Sequence, residues 1–289
     1  MENLRGALFM TLAMAGFAIE DSLIKILATI APTWQIVLFL GAGGTVLFGA
    51  MTLSSGRRLF QKEMLHPAVL LRNLGELVGV IGFVTALARS ELSSASAILQ
   101  ASPLVVTLGA ALFLGEPVGW RRWSAILVGF FGVMLIVRPG VHGFDANALY
   151  AVVGVIGLAI RDVATRRVPA ELSSRQLGFL GMLTAIPAAA ILSMFSPVGW
   201  AVLPGWGWVT VAFIVAIGGV AYITLIQATR IGEISFVTPF RYTRMVFALA
   251  AGLIVFGERP DALMLLGTAI IIGSGLYTFW RERIRATAA

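Results

Sequence analysis

Long apolar runs, separated by short clusters of charge, Pro and Gly, follow one another along the whole chain. They lie at about 4–27, 33–53, 68–88, 93–114, 120–137, 147–165, 175–195, 207–228, 234–256 and 261–280. About 20 predominantly apolar residues cross the hydrocarbon core as a helix, so each run matches one span. None alternates apolar and polar residues over ten positions as a barrel strand does. Backbone groups in lipid must be satisfied within the segment. The pattern therefore predicts an all-α integral membrane protein of ten transmembrane helices. Ten spans take roughly 200 residues of the 289, leaving little length for a soluble catalytic domain.

Composition adds exclusions. The chain is 58% hydrophobic and 12% charged, with mean hydropathy +0.93, against about 45–50% and 25% in soluble domains. It has no Cys, hence no disulfide, thiolate metal site or Cys nucleophile. Its two histidines, His66 and His142, fall in polar connections, so no metal site and no His-based catalysis is expected. No cofactor is expected. No Gly-x4-Gly-Lys-Ser/Thr string is present, so the chain carries no nucleotide-binding loop of its own.

Net charge +7 and pI ≈ 10.7 raise the question of nucleic acid, and the distribution of charge answers it. Arg5, Arg57, Arg58, Lys62, Arg72, Arg121, Arg122, Arg166, Arg167, Arg175, Arg230, Arg281, Arg283 and Arg285 fall on one side of the spans; Lys25, Arg89, Arg138 and Arg259 fall on the other. By the positive-inside rule, the first side and both termini are cytoplasmic. The expected partners are the lipid bilayer and a small-molecule substrate, with no nucleic acid and no obligate protein partner, and the expected location is the inner membrane. The uncharged outer connection then places Trp200, Trp206 and Trp208 as interfacial anchors.

The halves repeat. Ala18-Ile19-Glu20-Asp21 recurs as Ala159-Ile160-Arg161-Asp162, Lys25 as Arg166 and Arg89 as Arg230, all at offset 141; Leu114-Gly115-Glu116 recurs as Phe256-Gly257-Glu258 at offset 142. Two repeats follow, 1–140 and 141–289. Five spans is an odd number, so the second copy enters from the opposite face and the repeats are inverted, an architecture suited to alternating access. Arg5 with the apolar stretch after it resembles a secretory signal, but the repeat makes that segment the first span of the fold.

Two five-helix halves, each closing on Gly-Glu before a small-residue helix (Gly115-Glu116 then Gly129 and Gly132; Gly257-Glu258 then Gly267 and Ser274), resemble the EamA domain pair of the drug/metabolite transporter superfamily. Within it the chain looks most like the YddG-type exporters of the bacterial inner membrane. That resemblance implies a transporter and not an enzyme, exporting neutral or aromatic amino acids. Where the first half has Gln100-Ala101-Ser102-Pro103, the second has Arg241, Tyr242 and Arg244, so any site is asymmetric.

An ionisable group within a span costs about 2.5–3.5 kcal/mol on insertion scales and needs a cavity or a partner. Glu20, Asp21, Glu76, Arg161, Asp162, Arg241 and Arg244 are such groups, beside neutral Asn73, Gln100, Tyr222, Gln227 and Tyr242. Arg241 and Arg244, three apart and read as one helix face, either anchor a substrate carboxylate or form buried ion pairs with Glu20, Asp21, Glu76 or Asp162. With them, Tyr242, Glu20, Glu76, Gln100, Gln227 and Tyr222 form the substrate-binding set. Asp21, Asp162, Arg161, Pro103 and Pro239 are the coupling or gating set. Glu20 and Arg161 either pair across the repeats or leave a carboxylate for ammonium or proton. Glu76 has Arg72 one turn away as an alternative partner. Glu116 and Glu258 are expected to accept N–H groups of the helix that follows each. A carrier of a sugar phosphate, nucleotide sugar or drug is the alternative, and an intramembrane enzyme or lipid-handling protein the more remote one.

Overall fold

The computed structural model describes residues 2–113, 119–138, 145–231 and 237–288, without the side chains of residues 122, 229–231, 238, 279 and 281–288. Leu114-Gly115-Glu116, His142 and the side chains of Arg122, Arg230, Arg281, Arg283 and Arg285 lie outside the described residues. Among the described residues every element is helical: α1 (Glu2–Leu27), α2 (Thr33–Leu53), a 3-10 turn (Lys62–Leu65), α3 (Pro67–Arg89), α4 (Leu92–Leu99), α5 (Ser102–Phe113), α6 (Trp120–Val137), α7 (Ala148–Thr165), α8 (Ser174–Met194), α9 (Gly205–Ile231), a second 3-10 turn (Thr238–Tyr242), α10 (Thr243–Val255) and α11 (Ala262–Ala288). Among the described residues, seven segments are long and apolar enough to cross a membrane: α1, α2, α3, α4 with α5, α7, α8 and α9. Shorter apolar stretches lie in α6 and α11.

Two predicted spans are interrupted. The fourth breaks at Gln100–Ala101 into α4 and α5, with Pro103 in the first turn of α5, where its missing N–H costs no helical bond. In the ninth, Pro239 lies in the 3-10 turn that precedes α10. Pro187 sits inside α8 without ending it. The last helix runs beyond the predicted 280, to Ala288.

The chain divides into two compact units, and each draws on both halves of the sequence. The first comprises Met1–Ser22, Ser90–Leu149 and Val220–Ala289; the second comprises Leu23–Arg89 and Tyr150–Gly219. In the first, Met10, Ala13 and Met14 of α1 pack on Ala228 and Val237. Ala97 of α4 meets Met245 of α10 and Met264 of α11, and Ala101 and Leu104 meet Ile271. Gly132 of α6 lies against Gly267 of α11, where a Cβ would come within 2.8 Å of the Gly267 carbonyl oxygen.

In the second unit α2 lies on α8 through Gly41 and Gly44, and α3 lies on α7 through Gly75, Gly79 and Gly82 facing Gly154 and Gly157. Small residues let helices approach in lipid, where no hydrophobic force separates protein from solvent. On the predicted outer side, Trp34 and Phe39 pack on Trp200, and Phe39 also on Trp208. The buried Gln35 amide clamps Ala201, donating to its carbonyl at 2.8 Å and accepting its N–H at 2.9 Å.

Arg138, in the left-handed conformation at the end of α6, donates to Asp261 at the start of α11. That hydrogen bond, with the N–H of Met264, holds the Asp261 carboxyl below the ordinary carboxylate range. A depressed carboxyl contributes stability that is present above its unfolded pKa and lost as pH falls through the folded one. Asp261→Asn should therefore lower the melting temperature slightly at pH 7, by less than about 1 kcal/mol for so exposed a pair. The gap between the two proteins should close below the carboxylate range in a pH series of melts.

Candidate functional site

In the first unit, α1 carries Asp21 fully inside the packing, 3% exposed. Arg244, in the first turn of α10, reaches it with two donors on one oxygen: Nε at 3.2 Å and Nη2 at 2.7 Å from Oδ2. Its guanidinium also lies 5.2 Å from the centroid of the Phe17 ring, a favourable cation–π placement. Phe17 stands one turn before Asp21, a spacing that puts both on one helix face; sequence reasoning missed it although that signal was available. Of the partners weighed for Arg244, the structure selects Asp21. Glu20, next to it, is half-buried.

The two arginines, read from their spacing as one helix face, fall in different elements and differ in exposure. Arg241 belongs to the 3-10 turn and Arg244 to α10. Arg241 is exposed, whereas the Arg244 side chain is mostly covered.

Both helix breaks carry an unsatisfied polar group. Gln100 ends α4 and Tyr242 precedes α10, and each is buried. Among the described residues, neither the Gln100 Nε2 nor the Tyr242 hydroxyl has a hydrogen-bond partner. The Tyr242 ring edge lies against Gly275 of α11, where a Cβ would have no room. An unpaired buried donor costs about 1–3 kcal/mol, which a polar solute reaching either atom would recover. The other members of the binding set are dispersed: Tyr222 is half-buried on α9, Gln227 is exposed on the same helix, and Pro103 and Pro239 flank the breaks.

In the second unit, α3 and α7 hold an alternating network. Arg72 lies 3.6 Å from Glu76 one turn on, and Arg161 lies 3.4 Å from Glu76. Arg161 also donates through Nε to Asp162 Oδ1 at 2.8 Å, and Arg72 to Asn73 at 3.1 Å. Two cations and two anions thus alternate in this network. The carboxylates that hold Arg161 belong to its own unit, and the within-helix reading of Glu76 and Arg72 is realised. Gly181 of α8 opens the space beside Glu76, a Cβ there lying 3.3 Å from Oε2.

Glu258 differs from expectation. Among the described residues, the hydrogen bonds of its carboxylate go to α4 and not to the following helix. It accepts the Leu92 N–H at 2.6 Å, the Ser93 N–H at 2.9 Å and the Ser93 hydroxyl at 2.6 Å, all at the start of α4. Gly257, with φ +63°, turns the chain out of α10, and the Glu258 N–H donates back to Gly252. The carboxylate is thereby aimed away from α11, at the positive end of a helix from the other sequence half.

The model of the EamA-like transporter family matches this chain twice, over residues 4–138 and 146–280. Among relatives, a pseudopaline exporter of Pseudomonas aeruginosa is 28% identical over 92% of this chain and 93% of its own. A riboflavin transporter of Vibrio cholerae is 28% identical over 97% and 95%, and an S-adenosylmethionine uptake transporter of Rickettsia felis 23% identical over 97% and 94%. One solved crystal structure aligns with a TM-score of 0.61 over 98% of each chain at 21% identity, a likeness of fold.

Proposed function

The chain belongs to the EamA-like transporter family, and from that premise we propose that it is a secondary carrier exporting a small zwitterionic metabolite, in the first instance a neutral or aromatic amino acid, by alternating access. As a transporter of this family it is a multi-pass protein of the inner membrane. In this proposal the halves 1–140 and 141–289 are the inverted repeats, and both termini are cytoplasmic.

The observation that carries the reading is the Arg244–Asp21 pair of the first unit, whose unit also holds the two helix breaks and their unpaired donors. A substrate carboxylate exchanges with Asp21 for Arg244, one charge-assisted hydrogen bond for another. The released Asp21 carboxylate then accepts the substrate ammonium, and no charge is left alone at any stage. Gln100 and Tyr242 supply further polar contacts. The amino-acid part rests on this exchange and on the YddG-type resemblance; the relatives named above carry other solutes. Arg241, an exposed cation beside the second break, favours a phosphorylated solute as the second reading.

The test is a flux assay in proteoliposomes, with labelled neutral amino acids, sugar phosphates and nucleotide sugars, with and without an imposed proton gradient. Saturable flux of amino acids, with counterflow, is expected. Flux of phosphorylated solutes alone would replace the amino-acid reading with the second.

A further inference from the structure

On the side that the basic residues assign to the cytoplasm, the α2–α3 connection meets the α7–α8 connection over a cleft of about 600 Å³, lined by Arg58, Phe60, Gln61, Lys62, Glu63 and Glu171. The two connections are tied together. Gln176, in the first turn of α8, donates to the Arg58 carbonyl at 2.8 Å, while its oxygen completes a capping box with Ser173. Arg57 donates to the Glu171 carbonyl at 2.9 Å. Phe60 sets its ring edge-on to Phe179 at 5.5 Å, and Met64 is buried beneath the 3-10 turn. The cleft is thus preformed.

Its charges do not neutralise one another. Arg58, Lys62, Glu63 and Glu171 line one cleft, yet none of the four forms an ion pair among the described residues. Two cations and two carboxylates held apart complement a ligand that carries both signs. Phe60 and Leu65 of the same connection are 66% and 74% exposed. They belong to the connection between α2 and α3, from which apolar side chains can reach the headgroup region. A ligand seated here has its polar part in the cleft and an apolar part available to these side chains.

We infer that this cleft binds the headgroup of a phospholipid with a primary amine, of the phosphatidylethanolamine class. Arg58 and Lys62 take the phosphodiester. Glu63 and Glu171 accept from the ammonium, whose three N–H donors a quaternary amine lacks. The Gln61 amide serves either group. A lipid with an anionic headgroup meets only the cations, and phosphatidylcholine offers the carboxylates no donor.

Native mass spectrometry of the full chain, released from micelles doped with phosphatidylethanolamine, phosphatidylglycerol and phosphatidylcholine of identical acyl chains, tests this. The wild type should retain phosphatidylethanolamine about tenfold better than phosphatidylcholine, a difference of about 1.4 kcal/mol, and better than phosphatidylglycerol. Glu63→Gln with Glu171→Gln should lose the preference for phosphatidylethanolamine over phosphatidylglycerol. Arg58→Ala with Lys62→Ala should lower retention of all three lipids, whose shared phosphodiester the two cations hold. All four side chains are at the surface, and unchanged melting of the variants separates these effects from misfolding. Equal retention of the three lipids, or phosphatidylglycerol above phosphatidylethanolamine in the wild type, would overturn the assignment. So would displacement of the lipid by soluble glycerophosphoethanolamine at equal concentration, which would make the cleft a site for a soluble zwitterion.

Discussion

Arg244→Gln is expected to abolish transport and to destabilise the protein, whereas Arg244→Gln combined with Asp21→Asn is expected to recover the stability and remain inactive. The single change leaves Asp21 buried and charged with no guanidinium beside it, and removing one partner of a buried pair costs about 3–5 kcal/mol. Neutralising both removes the uncompensated charge, and such replacements are often near neutral for stability. Transport responds differently because the proposed exchange needs the cation itself. Loss of a desolvated charge contact worth about 2–5 kcal/mol lowers flux at limiting substrate by about 30-fold to several thousandfold. Melting in detergent reports the first effect and proteoliposome flux the second. A double variant that melts and transports like the wild type would make the pair a structural tie and remove the basis of the exchange.

Glu258 carries the second large effect. Its carboxylate serves three donors at the start of α4, and two of these are backbone N–H groups that no residue of α4 can satisfy. Glu258→Ala strands them in a buried position, at about 1–3 kcal/mol for each unsatisfied donor, so a loss of about 2–5 kcal/mol is expected. Ser93→Ala removes one bond and leaves both backbone donors paired, costing about 1 kcal/mol. Melting temperatures of the two variants should fall in that order. An Ala variant at position 258 as stable as the wild type would show that water serves the helix end equally well.

Sequence reading carried far where physics is local. The lipid core imposes a length on each helix, so most described helix ends fall within a few residues of the predicted runs, the last helix, which continues to Ala288, excepted. Glycines three or four apart, such as Gly41 with Gly44 and Gly75 with Gly79, are a local signal that coincides with close helix approaches. Sequence reading failed where a partner lies far along the chain. Nothing near Glu258 says which helix start it serves, because the N–H groups of any α-helix are chemically alike. Arg244 offered four candidate carboxylates, and only packing chose among them. The different exposure of Arg241 and Arg244 was not legible either, because it depends on what packs around the break at Pro239 and not on their spacing. Position 100 gave no warning of a break, since Gln is an ordinary helix former; the proline three residues later is compatible with either a kink or a fresh start.

The interleaving of the two units also has a consequence for the order of biosynthesis. Asp21 enters the membrane with α1, but Arg244 follows it by 223 residues. At about 5–20 residues per second, that separation is about 10–45 s of translation. Through that interval the first unit has its opening helix and lacks the segments from Val220 onward. The second unit needs only residues 23–219 and has its whole chain available earlier. Assembly therefore runs against the order of the termini: the unit that starts the polypeptide is the last to close, and its long-range contacts form only when the ninth span has left the ribosome.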